Sequence, residues 1–318
     1  MSTPIIIDCD PGHDDAMAIL YAARHLNLIA ITTVFGNSSL ENTTKNALSI
    51  CALGNLDIPI AMGMSQALVQ QHSTAADIHG KSGIDGALLP QSNQKPISKH
   101  AVQLIIDEAR ANQENLILAP IGPLTNIAVA LKTEPKLAHW LKGITLMGGS
   151  TTIGNISAMA EFNIYCDPEA ASVVFASGVP ITMAGLNITR LAGIEEVHVQ
   201  RLRNSNGRVG QTFADLLSFY LKRSKDVFNL KAASMHDPCA IIPLIAPDLI
   251  NYQSAHVHVE LASPHLRGMT ACDLRNINIS KINSVQKPMP HNARVAIGID
   301  GTSAVNQVID SLLSYDSQ

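Results

Sequence analysis

The chain has 318 residues, 46% apolar and only 15% charged, enough aliphatic material to fill a sizeable core. Its formal charge of -4 and pI near 6.3, with no Lys/Arg block, exclude the electrostatic footprint of a nucleic-acid or acidic-membrane partner. No window approaches the roughly 18 consecutive apolar residues that a membrane span needs.

From the N-terminus, "MSTPIII" runs straight into a strand, without a basic region, a long apolar stretch and a small-residue cleavage site. "PIIID" reads as a short buried strand and "DDAMAILYAARHL" as a helix by the spacing of its apolar residues. "LIAITTVFG" is a second strand, "ENTTKNALSICALG" a helix, "IPIAMG" a third strand and "SKHAVQLIIDEARAN" another helix. Residues 62–95 are polar and aperiodic apart from "HGKSGIDG" and read as a long loop, of the kind that is usually functional or disordered. "NLILAPIG" then leads into "TNIAVALKT", "GITLMGGS" ends in two glycines, "PEAASVVFASG" reads as a helix and "PITMAGLNIT" as a strand.

From Val209 to Met235 the pattern is helical and carries most of the late aromatics, while "AHVHVEL", "GMTACDL" and "ARVAIGID" alternate and suggest edge or antiparallel strands. Non-alternating apolar runs, each followed by a helix, predict an α/β fold: an open, mostly parallel sheet with helices on both faces. With no internal repeat or linker, residues 1–318 read as one domain. Five cysteines, an odd number without a C-x-x-C pair, suit reduced thiols of a cytoplasmic protein better than disulfides or a zinc site.

The first strand ends in "DCDPGHDD", which crowds Asp8, Asp10, Asp14 and Asp15 into eight positions. At an effective dielectric near 20, two carboxylates ~6 Å apart repel by about 3 kcal/mol, so something must offset the charge. Helix capping accounts for one aspartate or two and leaves Asp8 and Asp10 unexplained, which favours a bound cation. Ligands of parallel sheets bind beyond the carboxyl ends of the strands. There the chain also offers Asn37, the backbone at Ile121 and Gly122, Thr125, Asn126, Met147, then Asn155, Glu161, Asn163 and Asp167, and much later His236 and Asp237. Nearly all are oxygen groups, which select a hard cation such as Ca²⁺ or Mg²⁺ over zinc. Asp237 precedes Pro238 and fits a helix N-cap equally well.

Three motifs compete for this segment. A calcium-binding EF-hand loop would need a bidentate Glu where Ile19 stands. A haloacid-dehalogenase-type phosphotransferase, which would be Mg²⁺-dependent, would need Thr or Val where Gly12 stands and has no place for the paired Asp14 and Asp15. The third, D-x-D-P-G-x-D-D opening a helix, is far more specific.

That string and six further blocks in order, "TTVFGNSSLENTTKNAL", "HGKSG", "GPLTNIA", "LMGGS", "GNISAMAEFNIYCDPEAA" and "HDPCA", resemble the inosine–uridine-preferring nucleoside hydrolase family over nearly the whole length. Several blocks are most similar to its broad-specificity bacterial branch. The resemblance implies hydrolysis of the N-glycosidic bond of purine and pyrimidine ribonucleosides to ribose and free base, with one Ca²⁺ per subunit. The ion would be held by Asp10, Asp15, Asp237 and the carbonyl of Ile121, and Asp10 would take the proton of a calcium-held water. Asp14 and Asn163 would grip the 2′-hydroxyl, Asn37 and Asp237 would lie near the diol, Asn155 and Glu161 would bind the 5′-hydroxyl, and Met147 and Phe162 would touch the sugar.

His236 would protonate the departing base, for which an unshifted histidine pKa near 6.5 is apt; without the resemblance it is a histidine packed beside Asp237. His79 would likewise be a pocket residue rather than a surface one. Tyr220, Ser224 and Phe228, at i, i+4 and i+8 of one helix face, read either as a core stripe or as the wall that meets the base. A homodimer or homotetramer is the expected assembly. A nucleoside- or ribose-binding protein without turnover is the alternative from another class, and the retained Asp10 argues against it. Asp8 falls on the strand face shared with Asp10 and is expected to support it from behind.

Overall fold

The computed structural model describes residues 2–71, 74–277 and 286–317. β1 (Pro4–Cys9) is fully buried, because both faces of its isoleucine-rich run are covered. Its alternate residues sort accordingly: Ile5, Ile7 and Cys9 join one core, Ile6 the other. α1 (His13–His25) follows at once, with Asp15 accepting the backbone N–H of Gly12, so part of the aspartate crowd does cap a helix. β2 (Asn27–Thr33), α2 (Leu40–Leu53, capped by Ser39) and β3 (Ile60–Met62) complete the first half.

The long loop is not wholly irregular: it holds the single turn α3 (Ala76–His79), and its residues 72 and 73 lie outside the described ones. α4 (Ala101–Ala111), β4 (Leu116–Pro120), α5 (Thr125–Thr133), the short α6 (Leu137–Trp140) and β5 (Leu141–Met147) repeat the rhythm. α7 (Phe162–Cys166) is capped by Glu161 and α8 (Pro168–Phe175) by Asp167, with proline in its first turn. β6 (Ile181–Ala184) is shorter than "PITMAGLNIT" suggested, because Gly185 opens a helical turn, α9 (Leu186–Thr189).

β7 (Gly193–Ile194) and α10 (Glu196–Arg203) precede α11 (Arg208–Phe228). That long helix stops at Asn229, whose left-handed φ of 56° ends it seven residues before His236 rather than beside it. β8 (Ala233–Ser234), α12 (Pro238–Ile245), β9 (Ile250–Val259), β10 (Thr270–Asp273), β11 (Ala293–Ile299) and α13 (Gly301–Leu313) finish the chain.

The main sheet has the order β10-β9-β11-β6-β5-β4-β1-β2-β3. It is parallel from β3 through β11, and only β9 runs antiparallel to its neighbours β11 and β10. The expected architecture, with antiparallel strands at the C-terminal edge, is the one observed. α1, α2, α11, α12 and α13 cover one face, and α4, α5 and α8 the other. The strand order reverses between β1 and β4, so a crevice opens where the chain leaves these two strands in opposite directions. Among the described residues no helix is long and apolar enough to cross a membrane.

Candidate active site

The crevice at this switch point is a cavity of about 300 Å³. β1 delivers the aspartates, β2 Asn37, β4 Ile121 and β5 Met147, and Asn155 to Asn163 close one side. Asp14, Asn37, His79, Ile121, Met147, Asn155, Glu161, Phe162, Asn163, Tyr220, Ser224, Phe228, His236 and Asp237 all line it. Asp10 and Asp15 do not: they form the layer beneath, tied to it through Asn37 and Asp237.

His236 and Asp237 come from far along the chain, brought in by the two-residue pair β7 and β8 and by Met235 N–H bonding the carbonyl of Ala192. Asp237 sits at the N-cap position of α12 but makes no side-chain cap bond, which frees its carboxylate for the cavity. Asp14, Asp15 and Asp237 each offer a carboxylate oxygen within 4.8 Å of the others.

Asp10 is held from all sides but one. Its Oδ2 accepts the N–H of Asn37 at 2.7 Å, its carbonyl accepts the Asn37 amide at 3.1 Å, and its N–H reaches Asp15 at 3.2 Å. Its Oδ1 is buried without a hydrogen-bond partner. Two glycines make room for this carboxylate: a Cβ on Gly122 would stand 2.5 Å from Oδ1, and one on Gly36 2.0 Å from Oδ2.

Burial pushes every carboxyl of the cluster upward, that of Asp14 to about 8 and that of Asp15 to about 6, while Asp10 and Asp237 are held well above the usual range. Neighbouring carboxylates add to the rise at Asp10, Asp14 and Asp237. An orphaned oxygen, three converging carboxylates and an all-oxygen donor set fit a hard divalent cation.

Asp8 belongs to a different network. Its Oδ1 accepts Thr32 Oγ1 at 2.5 Å and Asn126 Nδ2 at 2.7 Å, and burial raises its pKa to about 7. Asn126 also donates to the carbonyl of Thr33 and accepts the N–H of Met64. Asp8 therefore ties β1, β2 and α5 together below the cavity. Asp167 is structural too: it caps α8 and accepts Thr125 Oγ1 and the N–H of Leu68, outside the cavity.

Polar side chains of the wall are preset by the backbone. Asn163 donates to the carbonyls of Ile121 at 2.9 Å and Met147 at 3.3 Å. Glu161 accepts the N–H groups of Asn163, Gly149 and Ile164, and burial lifts its pKa to about 7. Asn155 accepts the N–H of Phe162 at 2.9 Å.

His236 departs from expectation. Burial, with Arg190 nearby, lowers its pKa from the ordinary 6.5 to about 4, which takes away even the minority of charged imidazole that an unshifted value would leave at pH 7. Its Nδ1 lies 2.7 Å from Thr189 Oγ1, and a hydroxyl donating there leaves the Nε2 proton for the cavity.

Of the helix stripe, Tyr220 and Ser224 are buried, and the Tyr220 hydroxyl donates to the carbonyl of Ser234. Phe228 is 45% exposed at the mouth, so all three are pocket wall, buried at the Tyr220 end and open at the Phe228 end. Ile78 in the single turn α3, Ile156 and Leu230 in irregular segments and Val227 at the exposed end of α11 add apolar wall that the sequence did not single out.

A carboxylate nest at the switch point of a parallel sheet, beneath buried amide and carboxyl side chains and an apolar vestibule, has the donor chemistry to hold a hard cation with a polar small molecule beside it. The chain belongs to the inosine-uridine preferring nucleoside hydrolases, whose family pattern matches residues 5–306, and is an enzyme that hydrolyses the N-glycosidic bond of ribonucleosides. It is 40% identical to pyrimidine-specific ribonucleoside hydrolase RihA of Shewanella sp. (strain MR-4) over 319 residues, covering 99% of this chain and 98% of that one. It is also 40% identical to pyrimidine-specific ribonucleoside hydrolase RihB of Escherichia coli (strain K12), with 93% and 92% covered. Among solved structures, a purine-preferring ribonucleoside hydrolase from Gardnerella vaginalis superposes with a TM-score of 0.89 at 32% identity, covering 98% of this chain and 99% of that one.

Proposed function

We propose that this enzyme is a calcium-dependent ribonucleoside hydrolase in which Asp10 is the general base, and that it prefers pyrimidine ribonucleosides while also turning over purine ones. The observation that carries the reading is the buried, unpartnered Oδ1 of Asp10 beside the converging Asp14, Asp15 and Asp237.

Asp10, Asp15, Asp237 and the Ile121 carbonyl would hold the cation. When bound, Ca²⁺ would orient the ribose diol and the attacking water and make that water more acidic. Asp10 Oδ1 accepts the proton from water, its other oxygen being occupied by the N–H of Asn37. Asp14 and Asn163 meet the 2′-hydroxyl, Asn37 and Asp237 the diol, and Asn155 and Glu161 the 5′-hydroxyl, while Met147 and Phe162 pack on the sugar. Departure of the base leaves an oxocarbenium-like ribosyl cation, which the surrounding carboxylates stabilise. A hydrogen bond from neutral His236 Nε2 to the leaving base eases its departure.

The base would meet Tyr220, Ser224 and Phe228. With the Tyr220 hydroxyl donated to the Ser234 carbonyl, Ser224 is the polar contact these three side chains offer a base edge, which supports breadth, and the two pyrimidine-specific relatives at 40% identity favour pyrimidines within it. Ribose-release assays on uridine, cytidine, inosine and adenosine are expected to give turnover on all four, fastest on the pyrimidines. Activity confined to purines would overturn this order. Because buried groups are left unpaired when a hydroxyl is missing, 2′-deoxyuridine should have a kcat/KM at least ~10²-fold below uridine. Comparable values would refute the assignment of Asp14 and Asn163.

Gly122→Ala should keep the fold yet cut turnover ~10-fold or more, since the new Cβ displaces Asp10 Oδ1. Unchanged kinetics would show that this oxygen is not used.

The same reading makes residues 1–318 one domain, supported by a sheet whose strands span Pro4 to Ile299. It makes the protein cytoplasmic, supported by its five free thiols. It also makes the protein a homodimer or homotetramer, as the family likeness suggests.

A further inference from the structure

The segment that brings Asn155 to the cavity is an outlying turn, with Thr152, Ile153 and Ile156 exposed. Its ends are tied down, the N–H of Thr151 to Asn187 Oδ1 at 3.3 Å and Ala160 by a bridge to Met269. Between them the backbone bonds only to itself: Gly154 N–H donates to the carbonyl of Ala158 at 2.9 Å and Asn155 N–H to that of Ala160 at 3.1 Å. The carbonyls of Ile153 and Gly154 accept no backbone N–H among the described residues. One side chain serves both: Arg190 Nη2 donates to Gly154 at 2.7 Å, and Nη1 reaches Ile153 at 3.5 Å. Among the described residues Arg190 makes no ion pair, so its guanidinium is committed to this turn. It stands just past α9, which is itself fixed: Leu186 N–H donates to the carbonyl of Gly149, and the Asn187 amide to that of Ala296 in β11, both at 2.9 Å.

We propose that Arg190 is a positioning residue for the sugar: from the end of α9 it grips the carbonyls of Ile153 and Gly154 and so sets Asn155 where its side-chain amide donates to the 5′-hydroxyl. The inference rests on the reading of the pocket as a ribonucleoside site. Asn155 Oδ1 is occupied by the N–H of Phe162, so the amide N–H₂ is what this residue offers a ligand. A guanidinium suits the task, because its planar fork spans two neighbouring oxygens and a charged donor bonds a carbonyl more strongly than a neutral one. The grip ends one residue before Asn155, so a shift there passes straight into its side chain. Hydrogen bonds weaken within a few tenths of an ångström of their best length, and an exposed turn held only at its ends wanders further than that. Arg190 does not line the cavity. Its charge also acts on His236, and that influence falls on every nucleoside alike, whereas the positioning matters only to one with a 5′-hydroxyl.

The test pairs uridine with 5′-deoxyuridine in the calcium-loaded enzyme. Arg190→Met, which keeps the apolar stem, should lower kcat/KM on uridine by about 10-fold and leave that on 5′-deoxyuridine within about 2-fold. Asn155→Ala should show a similar loss on uridine, and the double variant little more than either single one. Arg190→Lys, which keeps the charge and one donor, should recover part of the loss, and it carries the same comparison if Arg190→Met does not fold. Equal losses on both nucleosides, or no loss on uridine, overturn the proposal. Deuterium exchange separates the proposal from the reading beneath it: in the Arg190 variants the amides of residues 152–156 should exchange faster, with those of the sheet unchanged. Unaltered exchange across the turn in a folded variant also overturns it. If the wild-type protein hydrolyses no ribonucleoside, the functional reading fails, while exchange still decides whether Arg190 holds the turn.

Discussion

Asp10→Ala is expected to fold normally and to lose turnover by about 10³-fold or more with uridine at saturating calcium. A positioned general base contributes about 10²–10⁴-fold, and here the same side chain would also hold the cation, so both contributions go together. The fold should survive because the one side-chain bond lost, from the Asn37 N–H to Oδ2, is offset by removing a carboxylate whose Oδ1 has no partner and which lies among like charges. In chelator the variant should melt at or above the wild-type temperature, since one source of repulsion is gone. Steady-state kinetics together with a melting curve separate this outcome from misfolding. Near-wild-type turnover would remove Asp10 from its assigned role.

The second large effect is on stability. With calcium removed, the protein should become less stable as pH rises from about 5 to about 8. Asp8, Asp14 and Asp15 have folded pKa values of about 7, 8 and 6 against an ordinary value of 3.8, and Asp10 and Asp237 are raised as well by burial. Each binds its proton more tightly in the folded chain than in the unfolded one. The stability linked to that proton is complete below about pH 4 and is lost as pH climbs through the folded values. Over this window the cost is several kcal/mol, roughly 10 °C in melting temperature for a chain of this size. Saturating calcium supplies the opposing charge and, at 1,000 times its Kd, about 4 kcal/mol of binding linkage. Melting scans at pH 5, 6, 7 and 8, in chelator and in calcium, should therefore diverge as pH rises. Superimposable profiles would mean that no cation belongs in the nest.

Much of this was legible in the chain because the sheet is parallel. Its strands are continuous apolar runs, and the residues just past them, Asp10, Asn37, Ile121 and Met147, had to converge beyond their carboxyl ends. The lining residues Asn155 to Asn163 were visible as one dense polar string, and the family resemblance supplied their expected roles. Other features depended on contacts that have no local signature.

The two-residue strands that bring His236 to the site are too short for periodicity to register. The depressed pKa of His236 follows from burial, which sequence spacing does not report. Asp167 looked like a site residue because it sits in the same string, yet its two oxygens are taken by α8 and by Thr125 and Leu68.

The most direct measurement is ribose release from uridine by the purified protein, first with calcium, then after exhaustive chelation, then with calcium restored. The account predicts equimolar ribose and uracil in the first state, loss of at least ~10²-fold in the second and recovery in the third. Full activity in the thoroughly chelated enzyme, or no ribose with calcium present, would contradict it.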